Sequence, residues 1–171
     1  MSIATVLVVD DSSTQRAIYR DILEMAGYKI VEAKDGKDGL IKAKVESPDV
    51  ILTDISMPEM GGIEMVRRLK NDDATKYIPV ICASATFQDI ETKMEALLSA
   101  GAEEYFYMPQ DNKELLAKIA VMLRIRKIYD EFLEKNRQLK QFNDAAVGRE
   151  MKMVELKNRI KELEEKLSKK K

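Results

Sequence analysis

Five short β-rich runs separated by helix-length segments constrain this chain more than any other feature of its sequence. "TVLVV" (5–9), "DVILT" (49–53) and "PVICA" (79–83) are nearly continuous in apolar residues, "KIVEA" (29–33) alternates, and "YFY" (105–107) is aromatic. Continuous apolar strands are those covered on both faces. Between them the sequence predicts helices over 13–26, stopped by Gly27, over 37–46, stopped by Ser-Pro, over 63–70, and over 89–100, stopped by Gly101. Such alternation predicts an α/β fold with a doubly wound, five-stranded parallel sheet.

A last helix starts near Asn112 and meets no stop signal: from Asn112 to Leu167 there is no proline and only one glycine, Gly148. It is expected to run far past the sheet. Its apolar residues follow a 3,4 spacing through Ile125, Ile128, Phe132, Leu139, Phe142, Ala146, Met153, Leu156, Ile160, Leu163 and Leu167, with Lys135 and Arg149 at the two remaining seam positions. Sustained over about six heptads, this predicts a coiled coil and hence a homodimer. A helix folded back on its own domain would show a wider apolar face. The expected organisation is a domain over 1–122, a coiled-coil helix over 123–167 and a basic tail over 168–171.

Composition removes several function classes. The chain has no histidine, so His catalysis and His metal sites are excluded, and any phosphohistidine belongs to a partner. Its one cysteine, Cys82, lies inside an apolar run, which permits no disulfide framework and suits a reducing cytoplasm. Neither a signal peptide nor a membrane-length apolar run is present, so membrane insertion is not expected and the expected location is cytoplasmic. Residues 123–171 hold 15 Lys and Arg against 9 Asp and Glu, while residues 1–122 hold 14 against 21. The basic residues of the tail are interleaved with glutamates rather than clustered, so nucleic acid is not the expected partner.

In a doubly wound sheet, ligands bind where the strand carboxyl ends converge. That edge is acidic here, with Asp10 and Asp11 after the first strand and Asp54 after the third, and Ser84 after the fourth adds a hydroxyl. Any one aspartate alone is explained as well by helix capping. Three gathered carboxylates repel one another unless a cation compensates, and all-oxygen ligands of this kind suit Mg²⁺.

"VLVVDDSSTQR", "DVILTDISMPEMGGIEMVRRLK", "PVICASA" and "GAEEYFYMP" resemble, in order and spacing, the motifs of the response-regulator receiver domain of two-component signalling, over roughly residues 3–122. The resemblance implies a flavodoxin-like receiver in which Asp54 is the phosphoacceptor. It further implies that Asp10, Asp11 and Asp54, with the backbone carbonyl of Ser56, hold Mg²⁺, that Ser84 is the switch hydroxyl and that Tyr105 is the switch aromatic. Gly61 and Gly62 are expected to permit backbone conformations that a side chain would resist. The implied partner is a histidine kinase or phosphotransfer protein. The chain is then no enzyme beyond accepting, and slowly hydrolysing, a phosphoryl group.

Two positions depart from the family: its lysine before the last proline is Met108 here, and the usual aromatic after that proline is Gln110. A thioether carries no donor and no charge, so one phosphoryl contact is missing. The family's peptide bond at this step is usually cis, and the same is expected of Met108-Pro109. Two functions follow from the sequence: a phosphorylated receiver signalling through a coiled-coil dimer, or a phosphorylation-impaired pseudo-receiver acting as a dimeric docking scaffold.

Overall fold

A computed structural model of the chain describes residues 3–84, 98–107 and 112–168. The elements are β1 (Thr5–Val9), α1 (Ser13–Met25), β2 (Lys29–Ala33), α2 (Gly36–Glu46), β3 (Val50–Asp54), α3 (Gly62–Lys70), β4 (Val80–Ser84), β5 (Glu104–Tyr107) and a C-terminal helix, α4 (Asn112–Ser168). All strand pairs are parallel and the order is β2-β1-β3-β4-β5. This is the flavodoxin-like doubly wound sheet, with its switch point between β1 and β3. The helix expected over 89–100 lies mostly outside the described residues, of which 98–100 are helical.

Period-2 alternation sorts the apolar strands onto two faces. Val6, Val8, Leu52, Ile81 and Ala83 pack under Tyr19 and Leu23 of α1 and Leu115, Ile119 and Met122 of α4. On the other face Leu7, Val9, Ile51, Val80 and Cys82 pack under Ala43 of α2 and Met65, Val66 and Leu69 of α3. Full burial of Leu23 and Leu69 on opposite faces means that truncating either to alanine costs about 2–5 kcal/mol.

Local chemistry sets the helix ends. The Ser12 hydroxyl accepts from the Gln15 N–H and opens α1, and the Asp35 carboxylate accepts from the Asp38 N–H and opens α2. Gly27, at φ +88°, carries the chain out of α1. At the sheet edge remote from the acidic one, Lys70 Nζ donates to Glu103 Oε1 (2.6 Å) and the Ile78 carbonyl (2.9 Å), while Glu103 Oε2 accepts from the Val80 N–H (2.8 Å). This mostly buried pair fastens the end of α3 to the starts of β4 and β5.

The chain divides into two compact units, Met1–Tyr129 and Asp130–Lys171. In the first, Ile125 packs against the α1 side of the core and the Tyr129 ring meets Tyr77 at 5.5 Å between centroids. Ile125, the first residue of the expected seam, is thus partly covered by the domain. In the second unit Phe132, Leu139, Phe142, Met153, Leu156, Ile160 and Leu163 are exposed along the helix. Gly148 stands within the helix with open space around it.

Candidate functional site

The sheet register brings the acidic residues together. Val9 of β1 lies beside Thr53 of β3, so Asp10 and Asp54 follow as neighbours at adjacent strand ends, on the face that carries Val8 and Leu52. Asp10 is buried, its Oδ1 accepting from the Ser12 N–H at 2.8 Å. Arg16 Nη1 donates to the Asp10 carbonyl at 2.7 Å and Nε to Glu32 at 3.4 Å, which commits that guanidinium to holding the backbone. Nothing in the motif pattern had marked Arg16 for this task. Asp54 is half-buried and its Oδ2 accepts from the Ser56 N–H at 3.2 Å.

Electrostatics at this edge follow from burial and like charge. Burial raises the Asp10 carboxyl, the Ser12 N–H opposes it, Asp11 raises it further and Arg16 lowers it. Asp54 is pushed up to about 6, first by burial, against hydrogen bonds from the Ile55 and Ser56 backbone, with Asp10 and Asp11 adding repulsion. Among the described residues no lysine or arginine pairs with Asp54.

The turn after Asp54 is held by apolar anchors. Ile55, Met57 and Met60 are buried, and the Gly62 N–H returns to the Ile55 carbonyl at 2.9 Å. The expectation for Gly61 and Gly62 is corrected: Gly61 is extended, at φ −74°, and the left-handed residue of the turn is Glu59, at φ +62°. Glu59 is fixed from outside by Lys37 at 2.7 Å. Glycine is required at 62 for space, because a Cβ there would overlap the Asp54 carbonyl oxygen. Gly36 serves the same turn by leaving room for Met60.

Of the remaining sequence-predicted residues, Asp11 is exposed beside Asp10. Ser84 ends β4, one position past Ala83, the register partner of Asp54. Tyr105 lies on β5 beside Cys82, half-buried against the α3 face of the core, and its hydroxyl has no hydrogen-bond partner among the described residues. Met108 and the Met108-Pro109 bond lie outside the described residues. Tyr19, not singled out in the sequence, is 3% exposed in the α1 face of the core with its hydroxyl unpartnered.

The donor chemistry suits a hard cation. Among the described residues no three His, Cys, Asp or Glu side chains form a closed metal cage. A hydrated Mg²⁺ needs only one or two protein carboxylates, and two raised, mutually repelling carboxyls, of which Asp54 pairs with no cation among the described residues, gain from one. No helix among the described residues is long and apolar enough to cross a membrane.

Comparison with known proteins agrees with this geometry. Protein PilH of Pseudomonas aeruginosa is 38% identical over 120 residues, covering 70% of this chain and 98% of PilH. The polar-differentiation response regulator DivK of Brucella anthropi is 33% identical over 105 residues, covering 61% of this chain and 84% of DivK. The solved structure of chemotaxis protein CheY4 of Vibrio cholerae is similar at a TM-score of 0.66 and 30% identity, covering 71% of this chain and 99% of that one. Residues 6–120 match the response regulator receiver domain, so most of α4 lies beyond the matched span. The chain belongs to the response regulator receiver family of two-component signalling.

Proposed function

We propose that this chain is a phosphorylation-dependent switch whose acceptor is Asp54. What carries this is the setting of that carboxylate: half-buried at the end of β3, repelled by Asp10 and Asp11, and paired with no cation among the described residues. A carboxylate oxygen of Asp54 attacks the phosphorus of a partner's phosphohistidine, forming the acyl phosphate. The P–N bond breaks and its electron pair stays on the imidazole. The donor is a histidine kinase or phosphotransfer protein, since this chain has no histidine. Only the ionised carboxylate is nucleophilic, so a group titrating at about 6 gains reactivity as pH rises toward neutral.

Asp10, Asp11 and Asp54, with the Ser56 carbonyl, are the residues that would hold Mg²⁺. When bound, it would supply positive charge beside Asp54, which pairs with no cation among the described residues, and an incoming phosphoryl group requires such charge. Ser84 and Tyr105 are assigned the switch roles by family membership, supported by the strand-end position of the first and the half-buried, unpartnered phenol of the second. Met108 in place of the lysine slows transfer and weakens this coupling. The chain remains a phosphoacceptor rather than an enzyme.

The output assigned to the second unit is a parallel coiled-coil homodimer. Phe132, Leu139, Phe142, Met153, Leu156, Ile160 and Leu163, all exposed, fall on the expected heptad seam, with Val147, Met151 and Val154 exposed beside it, and a second copy of the same helix covers them. Met108, in place of the family's lysine, favours one second reading, a constitutive dimeric scaffold that docks partners without phosphate. Sedimentation velocity with and without acetyl phosphate and Mg²⁺ separates the two. A phosphodonor-dependent change in shape or association that disappears in Asp54→Ala supports the switch, and identical profiles support the scaffold.

A further inference from the structure

Where α4 packs on the receiver it carries two apolar stripes, and the core uses only one. Leu115, Ile119 and Met122, at 4,3 spacing, are buried among Val8, Leu52 and Ala83. Six residues on from each stand Val121, Ile125 and Ile128, the same spacing turned by about 120° around the helix. Val121 is 47% exposed and Ile128 63%, while Ile125 is partly covered. All three lie in the first compact unit, which extends to Tyr129. A helix that served only to close one domain would need a single apolar face, with polar residues opposite it.

The register of the second stripe identifies its cover. Val121, Ile125, Ile128 and Phe132 follow one another by four, three and four residues, so Val121 opens the heptad seam on which Phe132, Leu139 and Phe142 fall. The preceding seam position is Lys118, whose Nζ lies 3.3 Å from Glu104 on β5, and there the stripe ends. In a parallel, in-register pair the flanking positions set Ala117 against Met122 and Arg124 against Tyr129 of the other copy, so no like charges meet. The Tyr129 ring, packed on Tyr77, holds this turn of the helix to the receiver.

We propose that the receiver itself belongs to the dimer interface. Val121, Ile125 and Ile128 each pack against their own counterpart in a second copy, so pairing starts inside the receiver rather than beyond it. The parallel orientation rests on the coiled-coil dimer assigned to the second unit. The exposed stripe does not. Two receivers joined in this way are held side by side through the helix whose other face packs on β3 and β4, not carried as independent heads.

The test uses the full chain with single introduced cysteines, since the native Cys82 is buried. Val121→Cys, Leu156→Cys and Lys127→Cys are oxidised with copper phenanthroline, and covalent dimer is read on non-reducing gels. Lys127 is exposed on another side of the same helix. Expected is a cross-link at Val121 at a rate within about tenfold of that at Leu156, and at least about tenfold slower at Lys127. Cross-linking at Leu156 but not at Val121, or equal rates at Val121 and Lys127, overturns the proposal and leaves the coiled coil standing. Cross-linking at Val121 but not at Leu156 upholds the receiver contact and removes the coiled coil. No cross-link at either position overturns both. Val121→Glu, checked for an unchanged near-ultraviolet circular dichroism spectrum, is expected to weaken the dimer at least about fivefold in equilibrium sedimentation, and an unchanged dissociation constant overturns the proposal.

Discussion

Gly62 stands so close to Asp54 that a Cβ on the glycine would overlap the aspartate's carbonyl oxygen. The Gly62 N–H is also held by the Ile55 carbonyl at 2.9 Å, so the turn has little room to yield. Gly62→Ala is expected to destabilise the receiver by about 1–3 kcal/mol and to displace the acceptor strand end. Gly148→Ala, in open space within α4, is expected to stabilise that helix by roughly 0.5–1 kcal/mol. Thermal melts of both variants check the contrast.

Asp54 makes stability depend on pH in a defined direction. Its carboxyl titrates at about 6 in the fold against an ordinary 3.8. Below about pH 3 it is protonated in both folded and unfolded chains, and its contribution to stability is fully present. As pH rises through 6 the fold has to hold an ionised carboxylate, and that contribution is lost. Asp54→Asn is therefore expected to be more stable than wild type at pH 7, by about 1–2 kcal/mol after allowance for partial solvent exposure. The advantage should shrink as pH falls and vanish only near about pH 3. Urea melts across that range, without divalent cations, measure it.

Lys70 and Glu103 share one network with the Ile78 carbonyl and the Val80 N–H. Removing either charge alone strands the other in a mostly buried setting. Lys70→Met and Glu103→Gln should each cost about 1–3 kcal/mol, and the double variant less than their sum. A double-mutant cycle in denaturant gives the coupling directly.

The seam can be broken without touching the receiver. Leu156 and Phe142 are more than half exposed on the helix. Glutamate at either position introduces a charge that a dimer interface would have to bury, and the dimer should weaken at least tenfold. Residues 3–84 are expected to keep their fold, seen as unchanged near-ultraviolet circular dichroism. Equilibrium sedimentation reads the association.

How far the sequence reached depended on what each residue type leaves open. Strands over 5–9 and 29–33 were legible to the residue, and β3, β4 and β5 to within one, because continuous or alternating apolar runs have few other uses. Asp10 and Asp54 were legible as neighbours because parallel topology fixes which strand ends meet. At Ile125 a core face and a coiled-coil seam share one spacing, and only tertiary contacts show that this residue packs against the domain. At Gly62 the residue was marked but its reason was not: the sequence suggested backbone freedom, and the fold uses the missing side chain.

Intact mass after incubation with acetyl phosphate and Mg²⁺ tests the central claim most directly, with Asp54→Ala and Met108→Lys alongside. A gain of one phosphoryl group in wild type, absent in Asp54→Ala and faster in Met108→Lys, is the expected result. A phosphoryl adduct that survives Asp54→Ala, or no adduct in either wild type or Met108→Lys, would contradict the assignment of Asp54 as the acceptor.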